Sequence, residues 1–417
     1  MGEAERKNVR GLTVFNAVRG AVVGGYMTIF PVYLRSLGYS MKSIGGIISL
    51  ASVILALFLP YLGYLNDKYG PRKMIVASTL LLVAAPLMAA FTREFPLLAL
   101  SYGLFLLSFL AGQPARMSFL AASVSPTRLG IAIGVTTGAF SASRTVGPAL
   151  AGFLARSMGF RVSFELLATL GLISLVVFLV LTTPVTIKSR PRSPWEVYRS
   201  LIRPPRGFRE VLAYVSMDRI AWSMWFPLVS AHLYSYGYTE DLVGLLVTGS
   251  GAVQTIVLPL AGKLTDRGPS WRVLATSDLL GVAVALLLIN PLPIERAAAA
   301  MGFLGLSIAL WIPAYNSLIA RVAGGSGVSY ASANTARSLF SAPFPYIGGR
   351  MYDALGAYAP FLASSTLMIA TTIYAALVVA PIEAEALAEE RGEISPPPPA
   401  PVVGARSAEA RSGCDGS

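Results

Sequence analysis

The chain has 417 residues, 54% of them hydrophobic and only 13% charged, and its formal net charge is +12. Soluble domains carry about 25% charged residues, so this composition excludes an ordinary water-soluble enzyme, as does the mean hydropathy of +0.63. The basic residues sit in short segments between apolar runs, which argues against a nucleic-acid partner and matches the Lys/Arg excess of cytoplasmic loops.

Met1 to Arg10 is short and charged and has no cleavable signal pattern. The apolar runs that follow are about twenty residues long, enough to cross about 30 Å of hydrocarbon. They lack strict alternation, so they read as helices rather than barrel strands. The first half predicts spans over 12–34, 42–64, 74–92, 95–119, 129–154 and 163–184. The second predicts 211–235, 241–262, 272–290, 296–320, 328–349 and 357–381. Alternating through twelve spans places both termini on one side with Lys68, Arg72, Lys73, Arg128, Lys263, Arg267 and Arg272. Arg35, Lys42, Arg93 and the Glu240-Asp241 pair fall on the other. Both termini are therefore expected in the cytoplasm, with the protein in the cytoplasmic membrane.

The predicted layout is a six-helix bundle over 1–184, a basic loop over 185–209, a second bundle over 210–382 and a tail over 383–417. The loop mixes Pro191, Pro194, Pro204 and Pro205 with Lys188, Arg190, Arg192, Arg199, Arg203, Arg206 and Arg209. Within it Trp195, Val197, Tyr198 and Leu201 suit a short helix on the membrane surface, drawn to anionic lipid headgroups. The tail is acidic (Glu383, Glu385, Glu389, Glu390, Glu393), then rich in Pro, Ala and Ser, and reads as disordered. It holds the single cysteine, Cys414, so no disulfide framework or metal-thiolate site is expected.

One short segment is written twice. Gly63-Tyr64-Leu65-Asn66-Asp67-Lys68-Tyr69-Gly70-Pro71-Arg72-Lys73 follows the second apolar run, and Gly262-Lys263-Leu264-Thr265-Asp266-Arg267-Gly268 follows the eighth. Gly63 and Gly262, Asp67 and Asp266, Gly38 and Gly237, and Gly45 and Gly244 share one offset. That is the mark of two homologous halves, an organisation common among secondary transporters.

Both segments resemble the hallmark loop of the major facilitator superfamily, Gly-x-Leu-x-Asp-Arg-x-Gly-Arg-(Arg/Lys). Gly63, Leu65, Asp67, Lys68, Gly70, Arg72 and Lys73 match in kind, with Pro71 departing. Gly262, Leu264, Asp266 and Arg267 match a degraded second copy. The resemblance covers about the first 380 residues. It implies an all-α membrane fold of two pseudo-symmetric six-helix bundles, a central cavity, alternating access, a small-molecule substrate, no cofactor and a monomer. It also implies that Gly63, Asp67, Arg72, Lys73, Gly262, Asp266 and Arg267 latch one access state. In that reading Gly63 admits a neighbouring helix and Asp67 follows the end of its own. A charged turn that only sets topology explains Arg72 and Lys73 as well.

The fifth span carries a second resemblance. Gly134, Ser143, Gly147-Pro148 and Ala151-Gly152 approximate the exporter pattern Gly-x8-Gly-x3-Gly-Pro-x2-Gly-Gly, which that family associates with antiport and export. A close-packed helix crossing at Gly134, Gly147, Pro148 and Gly152 accounts for the same residues. Drug–proton antiporters of the family carry an arginine midway along the fourth helix. Leu100 to Ala111 has none, and Arg116 lies late enough to snorkel.

Ionisable residues inside spans are costly and mark function. Arg19, Arg144, Arg219 and Arg337 fall in the first, fifth, seventh and eleventh spans, which in the family face the cavity. They favour an anionic or acceptor-rich substrate, because guanidinium binds carboxylate and phosphate bidentately. For Arg19 and Arg219 local pairing is the competing reading. Asp218 is the candidate proton-coupling carboxylate, while Asp278 is expected nearer the cytoplasm, paired with loop arginines. Tyr26, Trp311, Tyr315 and Asn316 complete the candidate lining, and His232, the only histidine, reads as structural.

The sequence holds no nucleophile triad, metal cluster or phosphate-binding loop, so enzymatic chemistry is not expected. The expected function is secondary transport of a small organic solute, with efflux favoured. Uptake or facilitated diffusion of an organic anion, and a non-transporting sensor on the same fold, are the competing readings. Membrane lipids and protons are the other expected partners.

Overall fold

The computed structural model describes residues 2–185, 193–202, 204, 207–289, 292–324 and 327–390. Lys188, Arg190, Arg192, Arg203, Arg206, Glu393 and Cys414 lie outside the described residues. The first bundle is built from α1 (Glu3–Ser36), α2 (Met41–Tyr69), α3 (Pro71–Phe91), α4 (Phe95–Ser123), α5 (Pro126–Met158) and α6 (Phe160–Leu181). A short α7 (Pro194–Ile202) follows. The second bundle holds α8 (Phe208–Ser223), α9 (Val229–Ser235), α10 (Glu240–Arg267), α11 (Ser270–Leu287), α12 (Ile294–Ala323), α13 (Gly327–Ser341), α14 (Phe344–Leu355), α15 (Ala359–Tyr374) and α16 (Ala380–Glu390).

A 3-10 turn at Phe226–Leu228 joins α8 to α9 as a seventh span. α13 and α14 form the eleventh, and a π-helical turn at Ala375–Val379 joins α15 to α16 as the twelfth. The breaks fall where proline withdraws a backbone donor, at Pro227 in the seventh span and at Pro343 and Pro345 in the eleventh. The result is an all-α membrane fold of about twelve spans in two pseudo-symmetric six-helix bundles. Nine helices among the described residues are long and apolar enough to cross a membrane. α5 and the broken seventh and eleventh spans are not among those nine.

Helix ends correct the sequence reading in two places. α2 runs on to Tyr69, so Asp67 stands in its last turn rather than beyond it, and Asp266 likewise lies inside α10. The stop comes at Gly70, whose φ of 84° favours glycine, and Pro71 then opens α3. The stretch 383–390, expected in a disordered tail, is instead part of α16. Its anchor is Glu383, which is fully buried. The carboxylate accepts the N–H groups of Ser270 (2.7 Å) and Trp271 (2.9 Å) at the start of α11, and Arg321 Nη1 donates to it at 2.7 Å. A carboxylate at a helix N-terminus with a partly buried arginine beside it overrides the acidic composition that suggested disorder.

α7 forms where the sequence placed a surface helix. It docks through Tyr198, whose hydroxyl donates to the Leu57 carbonyl at 2.5 Å, while Trp195 and Ile202 stay exposed.

α1 is the most buried helix of the first bundle, with Phe15, Val22, Tyr26 and Phe30 fully covered. It crosses α5 with no room for side chains. A Cβ on Gly24 would collide with the Arg144 carbonyl oxygen, and one on Gly147 with that of Ala21. Gly24→Val is therefore expected to force α1 from α5 and cost about 1–3 kcal/mol, the usual range for overpacking. A lowered melting temperature of the detergent-purified variant checks this; an unchanged one would mean the crossing yields.

The bundles meet at the face opposite the termini, called distal below, through α2 on α14 and α5 on α10. At the proximal ends of these helices Leu57, Ile131, Val135, Ile256 and Leu260 are exposed.

Candidate substrate cavity

A cavity of about 320 Å³ lies between the bundles. α1 lends it Met27, Thr28 and Pro31, α4 lends Tyr102, Phe105 and Phe109, and α12 lends Met301, Leu304 and Ile308. Two cations face it, Arg144 from α5 and Arg219 from α8, with Gln254 of α10 as a neutral polar group. Its described lining includes no carboxylate. The α1–α5 crossing fixes the backbone from which Arg144 projects. Arg219 stands one turn before α8 gives way to the Phe226–Leu228 turn. Apolar walls with two guanidinium groups suit a molecule that is greasy at one end and anionic at the other.

Other predicted lining residues lie elsewhere. Arg19 is fully buried inside the first bundle, donating to Thr79 Oγ1 at 3.1 Å and to the Ser108 carbonyl at 2.9 Å. Tyr26 is equally buried and shares a 2.6 Å hydrogen bond with Ser101. Both face helices of their own bundle rather than the other bundle, and neither lines the cavity. Arg337 stacks over Trp311 (4.2 Å) and Tyr315 (4.7 Å), whose own rings stack at 4.4 Å. Asn316 is exposed, and none of these four lines the cavity either. Arg116 does not snorkel: it is buried, with its guanidinium 4.9 Å from the Phe140 ring.

Behind the Arg219 wall lies an acidic cluster. Asp218 and Asp278 are both buried, and their carboxyl groups lie within hydrogen-bonding reach of each other. Tyr214 donates to Asp278 Oδ2 at 3.2 Å. Arg337 is the main charge opposing Asp218, with Arg219 second. Asp278 is thus not paired with loop arginines. Tyr214 and Asp218 stand four residues apart on one face of α8, so the tyrosine that holds Asp278 also brings it to Asp218.

The predicted packing and latch residues divide similarly. Gly147, Pro148 and Gly152 lie at tight contacts, with Gly152 against the Glu240 carbonyl. Gly134, Gly63 and Gly262 face open space, so no described helix approaches closely there. Arg72 donates to the Thr182 carbonyl at 3.2 Å and so ties α3 to the end of α6. Lys73, Asp266 and Arg267 are exposed. His232 is buried, with Nε2 2.9 Å from the Leu288 carbonyl and Nδ1 3.1 Å from Tyr352 Oη.

The sequence profile described as "Major Facilitator Superfamily" matches residues 12–233 and 211–411. The chain belongs to the Major Facilitator Superfamily. It is therefore a membrane transporter. Among superfamily relatives, the multi-drug resistance efflux pump PmrA of Streptococcus pneumoniae serotype 4 is 25% identical over 359 residues, covering 82% of this chain and 87% of that protein. Multidrug resistance protein MdtG of Klebsiella pneumoniae is 24% identical over 397 residues, covering 90% and 94%. Two solved structures share the superfamily fold. One is a bacterial homolog of the human lysosomal transporter Spinster, inward-facing and unoccupied, with TM-score 0.67 and 13% identity, covering 95% of this chain and 100% of that one. The other is the human organic anion transporter MFSD10, with TM-score 0.66 and 16% identity, covering 90% and 100%.

Sequence reasoning missed the aromatic wall of α4 and the partnership of Asp278 with Asp218. Only the second left a signal: an aspartate within a span needs a partner inside it.

Proposed function

We propose that this transporter exports an amphipathic organic anion from the cytoplasm by alternating access. Arg144 and Arg219 hold the anionic group, and the Phe105, Phe109 and Met301 side of the cavity holds the apolar body. The observation that carries the reading is the pair of arginines in a lining whose described residues include no carboxylate. Guanidinium groups in such walls would repel a lipophilic cation and bind a carboxylate or phosphate through paired N–H groups. Export is favoured by relatives named as efflux pumps. Protons are the proposed coupling ion, bound at Asp218 and Asp278, and the termini are proposed to lie in the cytoplasm.

Thermal stability of the purified protein against amphipathic anions, cations and neutral drugs tests this. A ligand at about a hundred times its dissociation constant adds about 2.7 kcal/mol. Anions are expected to raise the melting temperature, and Arg144→Gln and Arg219→Gln to abolish the rise. Arg337→Gln should lower the baseline but keep the ligand response. Stabilisation by cations alone, indifferent to both cavity arginines, would hand the site to cationic drugs.

A further inference from the structure

One crossing occurs twice at the distal face. Where α2 meets α14, a Cβ on Gly45 would collide with the Pro345 carbonyl oxygen; where α10 meets α5, one on Gly244 would collide with that of Pro148. Ser49 Oγ accepts the Tyr346 N–H at 2.9 Å, and Thr248 Oγ1 accepts the Ala149 N–H at 3.1 Å. Gly349 packs on the Met41 carbonyl as Gly152 packs on that of Glu240. Each of these contacts in one crossing thus has its counterpart in the other.

The crossings differ in charge at two matching positions, where Lys42 and Asp353 stand in place of Asp241 and Arg156. Asp353 lies as far beyond Pro345 as Arg156 lies beyond Pro148. Arg156 acts on Asp241 in the acidic first turn of α10. Asp353 instead reaches across to α2 of the other bundle. Its carboxylate accepts the N–H groups of Met41 (3.2 Å) and Lys42 (2.7 Å), the first two of that helix. Ser40 takes the Ser43 N–H at 3.2 Å, so donors of the first turn are divided between the two bundles.

We propose that Asp353 is the latch residue of the distal gate, a trans-bundle cap on α2 that favours the distally closed state. A carboxylate on free N–H groups at a helix start makes charge-assisted hydrogen bonds and meets the positive end of the helix dipole. Opening the distal face must part α14 from α2 and return both groups to water. An interaction present in one state only biases the equilibrium by its own free energy. Asp353 is exposed at the rim, so water replaces the lost contacts on opening and neither helix must unfold.

The test is labelling of a cysteine placed at Ser230, which lines the cavity and is 5% exposed, in a Cys414→Ser background. An impermeant maleimide is applied to the distal side of intact cells. Asp353→Asn is expected to raise the labelling rate about tenfold. Lys42→Pro removes the 2.7 Å donor at a helix start that tolerates proline. It should raise the rate too, and the double variant should exceed neither by much. Lys42→Gln keeps that N–H and should label like the parent; an equal rise there would assign the effect to the lysine charge and overturn the proposal. So would Asp353→Asn and Lys42→Pro proteins that purify monodisperse yet label at the parental rate, or effects that add in full. If Asp353→Asn fails to fold, Lys42→Pro alone decides.

Discussion

Replacing Glu383 by alanine is expected to cost about 3–5 kcal/mol, the range for breaking one side of a buried ion pair. Three bonds converge on this carboxylate, two from the first amides of α11 and one from Arg321 at the end of α12. Arg321 also donates to Ser270 Oγ at 2.9 Å and to the Gly268 carbonyl at 3.2 Å, so it cannot swing into water without dismantling the α10–α11 turn. Removing the acid leaves a buried cation and two unsatisfied amides together. Glu383→Gln keeps one acceptor and should fall between. A double replacement of Arg321 and Glu383 by methionine should recover only the part due to the stranded cation, since the Ser270 and Trp271 amides still lack an acceptor. Denaturant unfolding of the detergent-solubilised protein measures each step. Wild-type stability in Glu383→Ala would show the contact to be peripheral.

Asp218→Asn or Asp278→Asn should abolish proton-driven transport while leaving ligand-induced stabilisation intact. In the proposed coupling the pair shares one proton, because two carboxylates this close in a dry site repel each other's charge. Arg337 and Arg219 face the charge that remains, Tyr214 donates to it, and Arg219 also looks into the cavity. In that proposal a change at the aspartate pair reaches the cavity through Arg219, without contact between proton and substrate. Proteoliposomes with an imposed pH gradient give the measurement. Gradient-driven flux should fall about a hundredfold, at the upper end of typical coupling energies, and counterflow exchange should persist. If both fluxes fall together, the aspartates serve folding; if neither does, protons are not the coupling ion.

Most of the fold was legible because spans of this kind announce themselves by length and hydropathy. The residues read as the span 95–119 begin α4 at Phe95, and those read as 241–262 lie within α10. What escaped depends on contacts far apart in sequence. Glu383 looked like part of an acidic tail because its partners, Arg321 and the start of α11, are distant along the chain. Arg19 and Arg144 looked alike as arginines within spans. Only packing shows that one is bound to Thr79 and Ser108 while the other faces the cavity. Asp67 looked like a loop residue because the apolar run was read as ending at 64, whereas the backbone turns only at Gly70.

The three spans missing from the nine apolar ones are the fifth, seventh and eleventh, and these carry Arg144, Asp218 with Arg219, and Arg337. Each charge near the middle of a helix costs about 2.5–3.5 kcal/mol when a segment leaves the translocon for lipid. These segments are therefore poor at entering the bilayer alone during synthesis. They must find shielding neighbours, α5 against the earlier α1 and α8 against later helices that carry Asp278 and Arg337. Biogenesis of this protein then has an order imposed by its buried charges, and substitutions that neutralise them should ease membrane insertion.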